Sequence, residues 1–173
     1  MRRLFRIEGD FARPGPPRWF GGVLVSRLTS PASQAHGRAE NDEALVLRLD
    51  YGLASFLLAS DASAQVERDL LAAGRDVTAT VLKVGHHGSR SSSSAPFLAA
   101  VRPTVAVISV GARNAYGHPD AGTLQRLRAA GAQVYRTDRD GAVILETDGR
   151  RLAVTRWATR ETERYCLDPE TIC

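Results

Sequence analysis

A chain of 173 residues with 43% hydrophobic content is long enough for one domain with a real core. It contains no run of about 18 apolar residues, which excludes a membrane-spanning helix within it. The net charge of +4 suggests an acidic partner such as nucleic acid, but Lys83 is the single lysine among 23 basic residues, and the arginines are scattered, so a generic solvated surface is the simpler account.

Residues 1–18 are rich in Arg, Pro and Gly and read as an irregular segment, without the continuous apolar stretch of a secretory signal. "WFGGVLVSRL" predicts a first strand. "TSPASQAHGRAEND" is a loop, in which His36 reads as a solvated histidine rather than a ligand. "EALVLRLDYGLASFLLAS" alternates Ala44, Val46 and Arg48 with Leu45, Leu47 and Leu49, turns at "DYG" and returns, which predicts a hairpin. A helix is expected from about 62 to 73, with Val66 and Leu70 one turn apart and Gly74 at its end. "VLKV" predicts a strand in which Leu82 and Val84 face one side and Val81 and Lys83 the other.

A short helix should follow, with Ser94 at its N-cap and Pro96 in its first turn. "TVAVISVG" reads as a strand buried on both faces, "NAYGHPD" as a loop, and "AGTLQRLRAAGA" as a helix with Leu124 and Leu127 on one face. Three short strands complete the pattern, with turns at Asp140-Gly141 and Asp148-Gly149. The domain is therefore expected over 19–157. Residues 158–173 read as a polar tail, whose Cys166 and Cys173 either close a small loop or stay free.

Chemistry concentrates at three strand ends. Asp61 follows "SFLLAS", His86 and His87 follow "VLKVG", and His118 follows the "TVAVISVG" strand. Singly each has a plain structural role: Asp61 as a helix N-cap, the histidines as packed or solvated loop residues. Together they deliver carboxylate and imidazole to the edge of an α/β sheet where ligands gather. That donor set suits zinc, manganese or iron, and a bridging aspartate can hold two ions that clamp a phosphoryl group. Lys83, near the same loop, either binds an anion or snorkels to solvent.

The segments "KVGHHGS", "YGHP" and "YRTDRDGAV", in this order, closely resemble the metallo-β-lactamase-fold domain of the ComEC family, proteins of DNA internalisation in natural competence. The likeness spans roughly 19–147. It implies an α/β fold, an αββα sandwich with a mixed β-sheet and flanking helices, of which this chain matches the second half. It implies a divalent metal, zinc or manganese and dinuclear in the complete domain, held by Asp61 and by His86 or His87, with a lean to His86. His118 would then be a substrate-phosphate or proton-transfer group, and Ser89, Lys83 or His118 would steady the phosphate. The implied activity is metal-dependent hydrolysis of DNA during uptake, on the outer side of the bacterial inner membrane.

Three departures qualify that reading, one being Glu43-Ala44 where the family often has a polar Asn-x-Ser. Ala59-Ser60-Asp61 stands where the family has Thr-Gly-Asp, and the HxHxDH signature of the fold is absent from a sequence holding four histidines. The expectation is a site incomplete without that half. Its partners would be DNA, the missing half or a competence membrane channel, and a second copy covering an exposed sheet face. The alternatives are a non-catalytic fragment or interaction subunit, and a metallo-hydrolase of another substrate on the same fold.

Overall fold

A computed structural model describes residues 16–29 and 44–168 of the chain. The expectations for His36, Cys173 and residues 1–15 lie outside the described residues.

The chain opens with a hairpin, β1 (Arg18–Phe20) and β2 (Val23–Arg27), where the sequence predicts one strand. Gly21 and Gly22 both take positive φ and reverse the chain between them. β3 (Leu47–Tyr51) and β4 (Ala54–Leu58) form the expected hairpin. Helix α1 (Ala64–Ala72) starts two residues later than its apolar spacing suggests, because Ser63 is its N-cap: the Ser63 hydroxyl accepts from the Gln65 N–H at 3.2 Å. Asp61 is therefore not the cap.

β5 (Val81–Lys83) leads into a 3₁₀ turn at Gly85–Gly88 and then α2 (Ala95–Val101). β6 (Val105–Ile108), α3 (Ala121–Ala129), β7 (Gln133–Arg136) and the single-turn α4 (Thr137–Asp140) follow. β8 (Val143–Thr147) and β9 (Arg151–Arg156) are joined by β10 (Thr162–Cys166), a strand formed by residues that read as polar tail. Cys166 is disulfide-bonded.

The result is a mixed seven-stranded sheet in the order β1-β2-β3-β4-β5-β6-β7 and a separate three-stranded sheet in the order β10-β9-β8. Pairing is antiparallel from β1 to β4 and parallel from β4 to β7. α1, α2 and α3 are the crossovers of the parallel half. They pack on one face, where Val66, Leu70, Phe97, Leu98, Val101 and Leu127 cover Leu57, Leu82, Ala106 and Ile108. On the other face Val81, Val105, Val107 and Tyr135 meet Leu152 and Val154 of the small sheet. Helices, large sheet and small sheet thus make three layers. The predicted alternation of β5 holds, with Leu82 and Val84 on the helix side and Val81 on the other.

The small sheet covers the parallel strands more fully than the antiparallel ones. On the same face of the large sheet Leu47, Leu49 and Phe56 are only half-buried and Leu58 is exposed. The apolar layer between the sheets contains one polar chain. The fully buried Tyr135 hydroxyl lies 2.7 Å from that of Tyr165, which donates to Glu163 at 3.1 Å, and Arg156 sits 4.7 Å over the Tyr135 ring. Burial pushes the Tyr135 hydroxyl well above its ordinary pKa, so it stays a donor.

Candidate metal and phosphate site at the sheet edge

The carboxyl ends of β4, β5 and β6 lie side by side because these strands are parallel and in register. Each runs into a loop that turns over the sheet edge. After β4, Ser60 takes φ 48° and its carbonyl accepts from the His86 N–H at 3.0 Å, which ties the first loop to the second. After β5, His86 and His87 both adopt left-handed backbone, φ 46° and 53°. Two consecutive non-glycine residues there carry a real conformational cost, of the kind that collects at functional sites.

Neighbouring contacts hold this turn. Ser89 N–H donates to His86 O at 2.8 Å, and Gly88 O accepts from Asp120 N–H at 2.9 Å. Gly88 has φ +79°, and a β-carbon there would lie 2.7 Å from Cβ of Pro119. Only glycine lets the β5 loop lie this close to the β6 loop.

The turn aims His87 at Asp61. Nδ1 of His87 is 2.7 Å from the Ser109 carbonyl, which can only accept, so Nδ1 carries the proton. In the neutral ring Nε2 then has its lone pair free, and it lies 3.7 Å from Oδ1 of Asp61. Both side chains are about half exposed. The His86 ring lies beside His118 instead, with centroids 5.8 Å apart and planes at 71°, and 6.4 Å from the His87 ring. His118 is fixed by Asn114, whose carbonyl oxygen accepts from the His118 N–H and whose amide donates to the His118 and Gly111 carbonyls, each at 2.9 Å.

Lys83 donates to the Val84 carbonyl at 3.2 Å. Burial lowers its pKa, and the Asp61 charge opposes that shift, which places Lys83 in the electrostatic reach of the site. Ser89 is buried; its hydroxyl pairs with that of Ser91 at 3.2 Å, and its carbonyl accepts from the Ser92 and Thr123 hydroxyls. Its visible role is to hold the loop.

Sequence reasoning missed two supports of that loop. Glu67, on α1 and 2% exposed, accepts from the Ser93 and Ser94 N–H groups. Ser94 does sit at the N-cap of α2, but its hydroxyl makes no cap bond; the Glu67 carboxylate instead holds the Ser93 and Ser94 N–H groups just ahead of the first turn. Burial raises the Glu67 pKa against the pull of these bonds and of Arg126. Arg126, on α3, donates to the carbonyls of Ser92 and Ser93 at 2.9 Å. A charged residue between Val66 and Leu70 on an apolar stripe was the one available signal for Glu67.

Among the described residues no group of three or more His, Cys, Asp and Glu side chains comes together as a metal cluster. Nor, among them, is any helix long and apolar enough to cross a membrane.

No protein-family model matches the chain. It is 36% identical over 121 residues to "ComE operon protein 3" of Bacillus subtilis, covering 70% of this chain and 15% of that protein. To "Competence protein ComA" of Neisseria gonorrhoeae it is 42% identical over 105 residues, 60% of this chain and 15% of the relative. To "Recombination protein 2" of Haemophilus influenzae it is 35% identical over 147 residues, 85% of this chain and 18% of the relative. The chain thus spans less than a fifth of the length of these curated relatives. The residues that build the sheet edge lie in a sequence of the ComEC family of competence proteins, of which this chain matches a segment.

Proposed function

We propose that this segment supplies half of a metal-dependent phosphodiesterase site acting on DNA during uptake, within a metallo-β-lactamase-type sandwich. The observation that carries the reading is the pairing of His87 and Asp61. With its Nδ1 held 2.7 Å from a backbone carbonyl, the imidazole turns Nε2 to a carboxylate oxygen 3.7 Å away. Protonated at Nε2, the histidine forms an ion pair with Asp61; unprotonated there, both atoms are acceptors, and a divalent cation between them satisfies both. The donor set of carboxylate oxygen and imidazole nitrogen fits zinc or manganese.

In this reading Asp61 and His87 hold the cation, which supplies Lewis acidity toward a phosphodiester. The geometry favours His87 over His86 for that role. His86 and His118 line the adjoining edge, where an imidazole can contact a phosphate oxygen or move a proton. Lys83 adds positive charge behind Asp61. Two donors leave most of the coordination to be completed from outside the described residues, so activity is expected to need the HxHxDH half that the family resemblance implies. The half-buried face at Leu47, Leu49, Phe56 and Leu58 is where further sheet would pack.

Calorimetric titration with manganese and zinc tests this, alongside cleavage of single-stranded DNA by the chain joined to an HxHxDH-bearing half. Asp61→Ala and His87→Ala should each weaken metal binding and cut cleavage by more than about 100-fold, beyond the usual cost of losing an outer partner. Unchanged metal affinity in both variants would sink the proposal. Turnover by the pure chain would show that the described residues suffice.

A further inference from the structure

Tyr116 is the most exposed large hydrophobic side chain among the described residues, at 83%, and it stands at the site just described. Its ring lies nearly parallel to that of His118, 19° between planes and 5.9 Å between centroids, and His118 in turn meets His86 edge-on at 5.8 Å. One ring face of Tyr116 is thus turned to the histidine row, while most of the side chain remains in water.

The loop that carries Tyr116 is pinned. Asn114 bonds to Gly111 and His118 on either side of it, and Asp120 N–H bonds to Gly88 O across to the β5 loop. A rigid aromatic on a braced loop loses little conformational freedom when a flat group stacks on it. Arg113, exposed on the same loop, adds a positive charge to it.

We propose that Tyr116 is a base-stacking platform, which seats one nucleobase of single-stranded nucleic acid so that the adjoining phosphate lies over the His118–His86 edge. Unpaired bases offer a free π-face and stack on aromatic side chains with little regard to sequence, whereas duplex bases are already stacked on one another. The inference rests on the phosphodiesterase reading for its substrate class. Tyr116 acts as a positioning residue, and its effect is on strand form and register.

Equilibrium binding of a 2-aminopurine-labelled single-stranded oligonucleotide to the full chain, without added metal, reads this directly. Wild type should quench the fluorophore and bind. Tyr116→Ala should lose affinity about 5- to 150-fold, the range for removing one stacked base. Tyr116→Phe, which keeps the ring, should stay within about 2-fold of wild type. An oligonucleotide made abasic around the label position should bind wild type and Tyr116→Ala alike. Thermal unfolding should be the same for all three proteins, since the side chain is exposed.

Equal affinity of Tyr116→Ala and wild type overturns the proposal, as does an equal loss on the abasic strand, or no binding by wild type. The two readings fail separately. Loss of cleavage in Asp61→Ala with no effect of Tyr116→Ala on binding removes the platform and leaves the hydrolase. Loss of binding in Tyr116→Ala with metal affinity untouched by Asp61→Ala does the reverse.

Discussion

The two halves of the large sheet are built from similar residues and do different things. In the antiparallel half, β1 to β4, neighbouring strands end at opposite edges, and the β1–β2 and β3–β4 connections are two-residue turns, Gly21-Gly22 and Gly52-Leu53. No two adjacent strands there bring their carboxyl ends to one edge. In the parallel half the carboxyl ends of β4, β5 and β6 fall in line, and each hands over to a crossover with room for a loop. Asp61, His87 and His118 occupy those loops. β7 also ends at this edge, yet it closes on a structural ion pair: Arg136 binds Asp138 at 3.0 and 2.6 Å. Strand direction creates the opportunity, and loop chemistry decides whether it is used.

Core substitutions should break the comparison most. Leu82 of β5 is fully buried, and Leu82→Ala should cost about 2–5 kcal/mol. Leu49→Ala in the half-buried β3 should cost about half as much, because part of that side chain already meets water. Urea unfolding of both variants measures the ratio; equal losses would mean that the two halves are equally packed.

Glycine substitutions sharpen it at the site. Gly88→Ala should cost about 2–3 kcal/mol, combining a positive φ with overlap against Pro119. Gly74, at the end of α1, has φ +62° but nothing within 4 Å of a built β-carbon, so Gly74→Ala should cost about 1 kcal/mol. The same unfolding assay separates them, and a Gly88→Ala loss no greater than that of Gly74→Ala would deny the close approach of the two loops.

The smallest effect belongs to β7. The Arg136 guanidinium beside Asp138 holds its carboxyl below the usual carboxylate range. A depressed folded value contributes stability above the unfolded pKa of about 3.9, and that contribution is lost as pH falls through the folded value. Asp138→Asn should therefore be slightly less stable than wild type near neutrality, with the difference closing as pH falls through that lowered value. Stability curves from pH 2 to 7 test the sign, and the variant should leave metal binding unchanged.

The strands from β3 to β9 were legible because their apolar spacing is strict and their turns carry Gly or Asp-Gly. β10 was not. Its inward positions are Glu163 and Tyr165, whose partners are polar groups on other strands, so the pattern reads as a solvated tail. The identities of the site residues were legible from their place after strands. Which histidine faces Asp61 was not, because it depends on two left-handed residues in succession and on a backbone carbonyl, at Ser109, that no side-chain pattern announces. Ser94 shows the same limit: its N-cap position was readable, and the partner of its backbone N–H, 27 residues away on α1, was not.

Apolar layers are smooth. A sheet resting on another through Val and Leu alone can shift by two residues and bury nearly the same area. The Tyr135–Tyr165–Glu163 chain removes that freedom, since a hydroxyl pair at 2.7 Å is satisfied in one alignment and stranded without water in any other. The three-stranded sheet is thereby indexed to the seven-stranded one. Because Tyr135 sits on β7 and Tyr165 on β10, the last strand of the described chain sets where the whole small sheet lies against the parallel half that carries the site.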